Sequence, residues 1–79
     1  MPTVLLLPGY RFFFFSNEGN EPPHIHLEKA DAVAKFWLAP VRLASSAGFS
    51  ARDLNKLAAL VAEHEPLFLT NWHACFNRN

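Results

Sequence analysis

Cysteine is almost missing from this chain. Cys75 is the only one in 79 residues, so there is no internal disulfide, and no cysteine pair for a zinc ribbon or a thioredoxin-like motif. A reducing compartment is expected. An excess of either charge is missing too: seven Lys plus Arg balance seven Asp plus Glu, which argues against a broad, strongly basic phosphate-binding surface and leaves room only for a small local basic cluster. Extended apolar runs are also lacking. Val4-Leu5-Leu6-Leu7 stops at Pro8-Gly9, has no basic segment before it and is shorter than a signal-peptide core, while no segment reaches transmembrane length. The expected location is cytoplasmic, and the length allows one domain, 1–79, with a sheet over 1–40 and a helical part over 49–77.

What the chain does have is aromatic and aliphatic bulk. Hydrophobic residues make up 51% of it, eight of them Phe and two Trp, enough for a core and enough to leave some aromatic surface for a partner, either a second copy or a cognate protein. The first half has the pattern of strands. Thr3 to Leu7 and Tyr10 to Ser16 flank Pro8-Gly9, where proline presets φ and glycine accepts a positive one, predicting a hairpin. After the polar stretch 17–23, Pro22-Pro23 holds the chain extended into a third strand, His24 to Lys29, whose alternation puts Ile25 and Leu27 on one face and His24, His26 and Glu28 on the other. Ala32 to Leu38 alternates similarly. Pairing across Ala30-Asp31 sets Ile25 opposite Phe36, Leu27 opposite Ala34, His26 opposite Lys35 and His24 opposite Trp37; a four-residue loop gives the same pairs. Pro40 and the small residues Ala44 to Gly48 read as the connection to the helical half.

Ser50, Asp53 and the Phe49/Leu54 pair form a capping box with a hydrophobic staple, which starts a helix at Ala51. Leu54, Leu57, Ala58 and Val61 recur at helical spacing and should pack on the sheet, leaving Arg52, Asn55, Lys56 and Glu63 toward solvent. Pro66 then predicts a kink or break near Glu65, with a second helix running through Phe76. The fold class is therefore α+β: a four-stranded, mostly antiparallel sheet of two hairpins followed by a C-terminal helix kinked or broken at Pro66.

The histidines carry the candidate chemistry. His24 and His26, two apart on a strand, point the same way, as acid/base pairs and metal sites require. One reading is metal-independent, ribonuclease-like chemistry, with His24, His26 and Lys35 supplying acid, base and charge clamp, His73 next in line, and Arg11, with Lys29, behind them. A second is a divalent metal held by His24 and His26 with a third ligand from Glu28, His64 or His73, which the Lys35 ammonium would oppose. The bland third is exposed histidines on a sheet surface; apart from the metal alternative no cofactor is called for. His64 and His73, nine residues apart, would point about 180° from each other on a straight helix, a restriction that a break at Pro66 relaxes. His64 continues the Leu57/Val61 stripe and reads first as a half-buried, hydrogen-bonded side chain. The group Phe68, Leu69, Trp72, Cys75 and Phe76 reads as core or dimer surface, with Cys75 a packed thiol. Alternating Phe12 to Phe15 needs cover on both faces of its strand. One face takes the helix; the other, shared with His24, His26 and Trp37, is left for a partner protein or a stacked base.

Gly9-Tyr10-Arg11-Phe12-Phe13-Phe14-Phe15-Ser16-Asn17-Glu18 with Glu21-Pro22-Pro23-His24-Ile25-His26, then Ala34-Lys35-Phe36-Trp37-Leu38, Gly48-Phe49-Ser50-Ala51-Arg52-Asp53-Leu54, Glu63-His64 and Trp72-His73, resemble the bacterial "domain of unknown function 4160" family over nearly the whole chain. The resemblance implies a small cytoplasmic bacterial protein, often encoded beside another small domain in a layout like a toxin–antitoxin pair. With the residue reading added, the expected partners are that neighbour-encoded protein, a second copy or RNA, and no membrane. The residues themselves make His24, His26, Lys35 and His73 the catalytic candidates, and Arg11, Trp37 and His64 the binding ones. Two departures from the family pattern are Pro66, in a final helix that is usually continuous, and Ala30-Asp31-Ala32, where a glycine-containing turn is usual.

Overall fold

The computed structural model describes residues 3–15 and 19–76. Five strands and two helices follow one another: β1 (Thr3–Leu7), β2 (Tyr10–Phe13), β3 (His24–Lys29), β4 (Ala32–Leu38), β5 (Val41–Ala47), α1 (Ala51–Glu63) and α2 (Glu65–Phe76). The strands form one antiparallel sheet in chain order, β1-β2-β3-β4-β5.

Three of the four strand connections need only two residues. Pro8-Gly9 joins Leu7 to its partner Tyr10, with Gly9 at φ 83° as the turn requires. Ala30-Asp31 joins Lys29 to Ala32, so the shorter of the two loops holds, and Ala30 takes a positive φ of 51° in place of the glycine usual there. All four pairs expected between β3 and β4 are present: His24 with Trp37, Ile25 with Phe36, His26 with Lys35 and Leu27 with Ala34.

The sheet has one strand more than the four expected. Ala39-Pro40, with its peptide bond cis, makes a third two-residue turn, and the segment read as a connection pairs with β4 from Leu38–Val41 to Val33–Ala47. The strand lacks an alternating apolar pattern because five of its seven residues are exposed. Strand β2 is shorter than expected: it ends at Phe13, Phe14 and Phe15 follow it as irregular chain, and Ser16 lies outside the described residues.

The helical half follows the sequence closely. The Ser50 hydroxyl accepts from the Asp53 N–H at 3.1 Å and caps α1. Leu57 and Val61 are buried, while Arg52, Asn55, Lys56 and Glu63 are exposed. The break falls at His64. Pro66 lacks the N–H that would continue the ladder to Ala62, so α1 closes with the His64 N–H on Leu60 and Val61 and α2 restarts with Phe68 N–H donating to His64 O at 3.0 Å. No helix among the described residues is long and apolar enough to cross a membrane.

Both helices pack on one face of the sheet. That face supplies Phe12, Phe14, Ile25, Leu27, Ala34, Phe36 and Leu38; α1 adds Leu57 and Val61, and α2 adds Phe68 and Trp72. Phe68 stacks on Phe12 with ring centroids 5.3 Å apart. Each such large side chain, fully buried, stabilises the fold by roughly 1.5–3 kcal/mol.

Gly9 and Gly48 both have positive φ but differ in surroundings. A Cβ on Gly9 would meet only the flexible Lys29 side chain at 3.8 Å, whereas on Gly48 it would press on the Ala32 Cα at 3.0 Å. Gly9→Ala is expected to destabilise by about 1 kcal/mol and Gly48→Ala by about 2–3 kcal/mol, as read from urea unfolding. Equal losses would contradict this packing of the β5–α1 junction against β4.

Candidate functional site

The strand register sorts the remaining side chains onto the face opposite the helices. Three rows cross it: Arg11, Glu28 and Val33; Phe13, His26, Lys35 and Ser45; and His24, Trp37 and Arg42. No helix or strand among the described residues covers this outer face. Its aromatic groups are covered instead by the chain's own cations. The Arg11 guanidinium lies 4.5 Å from the centre of the Phe13 ring, and the Lys35 ammonium 4.6 Å from that of Trp37. Both cations are also paired: Arg11 Nη1 donates to Glu28 at 2.8 Å, and Lys35 Nζ to Glu21 at 2.8 Å.

His26 sits among the rings. It stacks against Phe13 at 5.6 Å and meets Phe15 edge-on at 4.6 Å. Edge-on contacts also join His24 to His26 at 5.1 Å and to Trp37 at 5.6 Å. An aromatic ribbon therefore runs across β2, β3 and β4, with a cation laid over the ring at each end.

His24 differs from its neighbours because it has no exposed surface. Alternation places it on the outer face, but two things close that end of the sheet. Trp72 of α2 comes around to lie 4.8 Å from the His24 ring while also touching Phe14 and Phe76. The Pro22-Pro23 segment folds over the same corner, fixed by two bonds: His24 Nδ1–H donates to Pro22 O at 2.9 Å, and Leu38 N–H donates to Pro23 O at 3.0 Å. The first requires the proton on Nδ1. The Glu21 carboxylate stands 3.8 Å from that nitrogen while holding Lys35. The reading of both histidines as exposed sheet-surface residues is thus corrected for His24, whose imidazole is buried in this corner.

The other candidates fall into two groups. Arg11, His26, Lys35 and Trp37 share the outer face. His64 belongs to the helical side, where its Nδ1–H donates to Leu60 O at 3.0 Å and its ring lies near Phe68, as the half-buried, hydrogen-bonded reading expects. His73 is exposed on α2, one residue after Trp72, and Cys75 is a half-buried free thiol. Among the described residues no three His, Cys, Asp or Glu side chains are grouped to hold a metal ion. Phe13 and Phe15 join the cluster, on the face that the alternation of Phe12 to Phe15 shares with His26 and Trp37, and Glu21 belongs to it without having been singled out. Glu21 sits in a polar loop with no periodic pattern, so nothing in the sequence tied it to Lys35. A cavity of about 380 Å³ opens at the other end of the sheet between Tyr10, Lys29, Phe49 and Asp53. The histidine cluster is part of a face, whereas small-molecule sites are concave.

The sequence matches a known family. A family model described as a domain of unknown function (DUF4160) covers residues 9–73. The chain belongs to the DUF4160 family. No match was found among curated proteins or among solved structures. The stretch shared with the DUF4160 model includes all five strands except β1 and both helices except the end of α2. It thus contains the outer face and Trp72.

Because His24 is buried and His26 only half-buried, the two alanine variants should differ. His24→Ala is expected to lose about 2–4 kcal/mol of stability and His26→Ala about 1 kcal/mol, as read from guanidinium unfolding followed by tryptophan fluorescence. A His24→Ala variant as stable as wild type would remove His24 from the core.

Proposed function

We propose that this DUF4160 chain is one component of a toxin–antitoxin-like pair and acts by binding a partner protein on the outer face of its sheet. The observation that carries this reading is the uncovered face itself, with aromatic rings at its centre and charged groups around them. That is the make-up of a protein interface: an apolar, aromatic middle with a polar rim. The cations favour a protein over a nucleic acid, since Arg11 and Lys35 already bond carboxylates and little positive charge is left for a phosphate backbone.

A second reading rests on one observation. His26 and Lys35 are cross-strand neighbours beside rings able to stack on bases, an arrangement that suits an exposed RNA strand and histidine acid/base chemistry at His26. His24 and Glu21 would then position His26 and Lys35.

The two readings separate on one set of variants. Trp37→Ala and Lys35→Glu are expected to abolish co-purification with the protein encoded beside this one while leaving the melting temperature within a few degrees of wild type. Retained co-purification by both folded variants would defeat the interface reading. Under the RNA reading, His26→Ala removes cleavage of total RNA and any growth arrest on expression yet leaves co-purification intact. An absence of cleavage by wild-type protein defeats that reading alone.

A further inference from the structure

At the end of the sheet away from His24, the start of β2, the turn between β3 and β4, the link from β5 to α1 and the first turn of α1 come together. They line a cavity of about 380 Å³, within the roughly 300–1,000 Å³ range of small-molecule sites. Two half-buried rings, Tyr10 and Phe49, supply apolar walls, and three charged residues, Lys29, Asp31 and Asp53, share the lining.

The state of these charges is the second observation. On the outer face Arg11 and Lys35 each hold a carboxylate at 2.8 Å. Lys29, Asp31 and Asp53 form no ion pair among the described residues. Lys29 and Asp31 stand only two residues apart, yet the Lys29 ammonium lies 5.1 Å from the centre of the Tyr10 ring instead. Asp53 occupies the capping-box position, but only its backbone N–H bonds Ser50, and its carboxylate accepts no hydrogen bond among the described residues. One positive and two negative groups are thus left over in a cavity with aromatic walls.

We propose that this cavity binds a free α-amino acid with an aromatic side chain. The ammonium group of the ligand, with three N–H donors, bonds the Asp31 and Asp53 carboxylates, its carboxylate meets the Lys29 ammonium, and its ring lies against Phe49 and Tyr10. A plain amine would add a like charge beside Lys29, and a plain carboxylic acid would add one beside the two aspartates. A zwitterion answers all three groups. None of these residues belongs to the aromatic ribbon of the outer face, so the proposal stands apart from the function proposed above.

Titration of the full chain with L-phenylalanine, followed by amide NMR, tests it. Saturable shifts are expected at Tyr10, in 29–32 and in 48–53, with a dissociation constant on the order of 1 mM. 2-Phenylethylamine and 3-phenylpropionate, each lacking one of the two charges, should bind about tenfold more weakly. Lys29→Gln and the double variant Asp31→Asn/Asp53→Asn, substitutions of exposed side chains that keep the melting temperature within a few degrees, should each weaken L-phenylalanine by a similar factor. The absence of saturable shifts with wild type overturns the proposal. So does equal binding of the three compounds, or undiminished binding by both folded variants.

Discussion

Two short helices can cover only one face of a five-stranded sheet. Helices α1 and α2 have 13 and 12 residues, about 20 Å each, and the five strands they lie on span roughly the same distance side by side. Once this layer has buried the Phe12–Phe36 side of the sheet, no helix or strand among the described residues lies over the other side. The outer face must be made tolerable to water by its own side chains. Arg11 and Lys35 do this by lying along Phe13 and Trp37, covering apolar carbon with their stems while their charged ends reach Glu28 and Glu21. A surface arranged in this way is stable when free and still rich in contacts for a partner.

His24 follows from the same shortage of cover. The outer face is closed at the corner where Trp72 and the Pro22-Pro23 segment meet. A histidine suits that corner: its Nδ1–H supplies a donor for the Pro22 carbonyl while its ring faces fill the space between Trp37 and Trp72. A leucine would fill the volume and leave the carbonyl without that donor. Thus one histidine of the His-x-His pair is buried in the corner and the other half-buried on the outer face, although their spacing alone presents them as equals.

The sequence was most legible where local chemistry decides structure. Pro8-Gly9, the cap at Ser50 and the break near Pro66 rest on backbone constraints that act within a few residues, and each appears where expected. The β3–β4 register was legible as well, because both strands alternate and a one-residue slip would turn Ile25, Leu27 and Phe36 to the wrong face. Strand β5 was not. It is held by pairing with β4 and by a tight turn at Pro40, and it buries too little to leave a pattern. The candidate site was half legible for a similar reason. Periodicity brings His26, Lys35 and Trp37 to one face, but the closing of the corner around His24 depends on Trp72, almost 50 residues further along the chain.

The strand order has a kinetic meaning. Each strand pairs with the next in sequence, so the sheet assembles as a succession of hairpins with little chain entropy lost at each step. The contact of Trp72 with Phe14 and His24 is of another kind, because it joins residues 58 and 48 positions apart in sequence. The meander keeps most strand pairings local, and this contact ties the helical part of the chain back to its first half. The same contact that seals the outer face at its histidine corner therefore completes the fold.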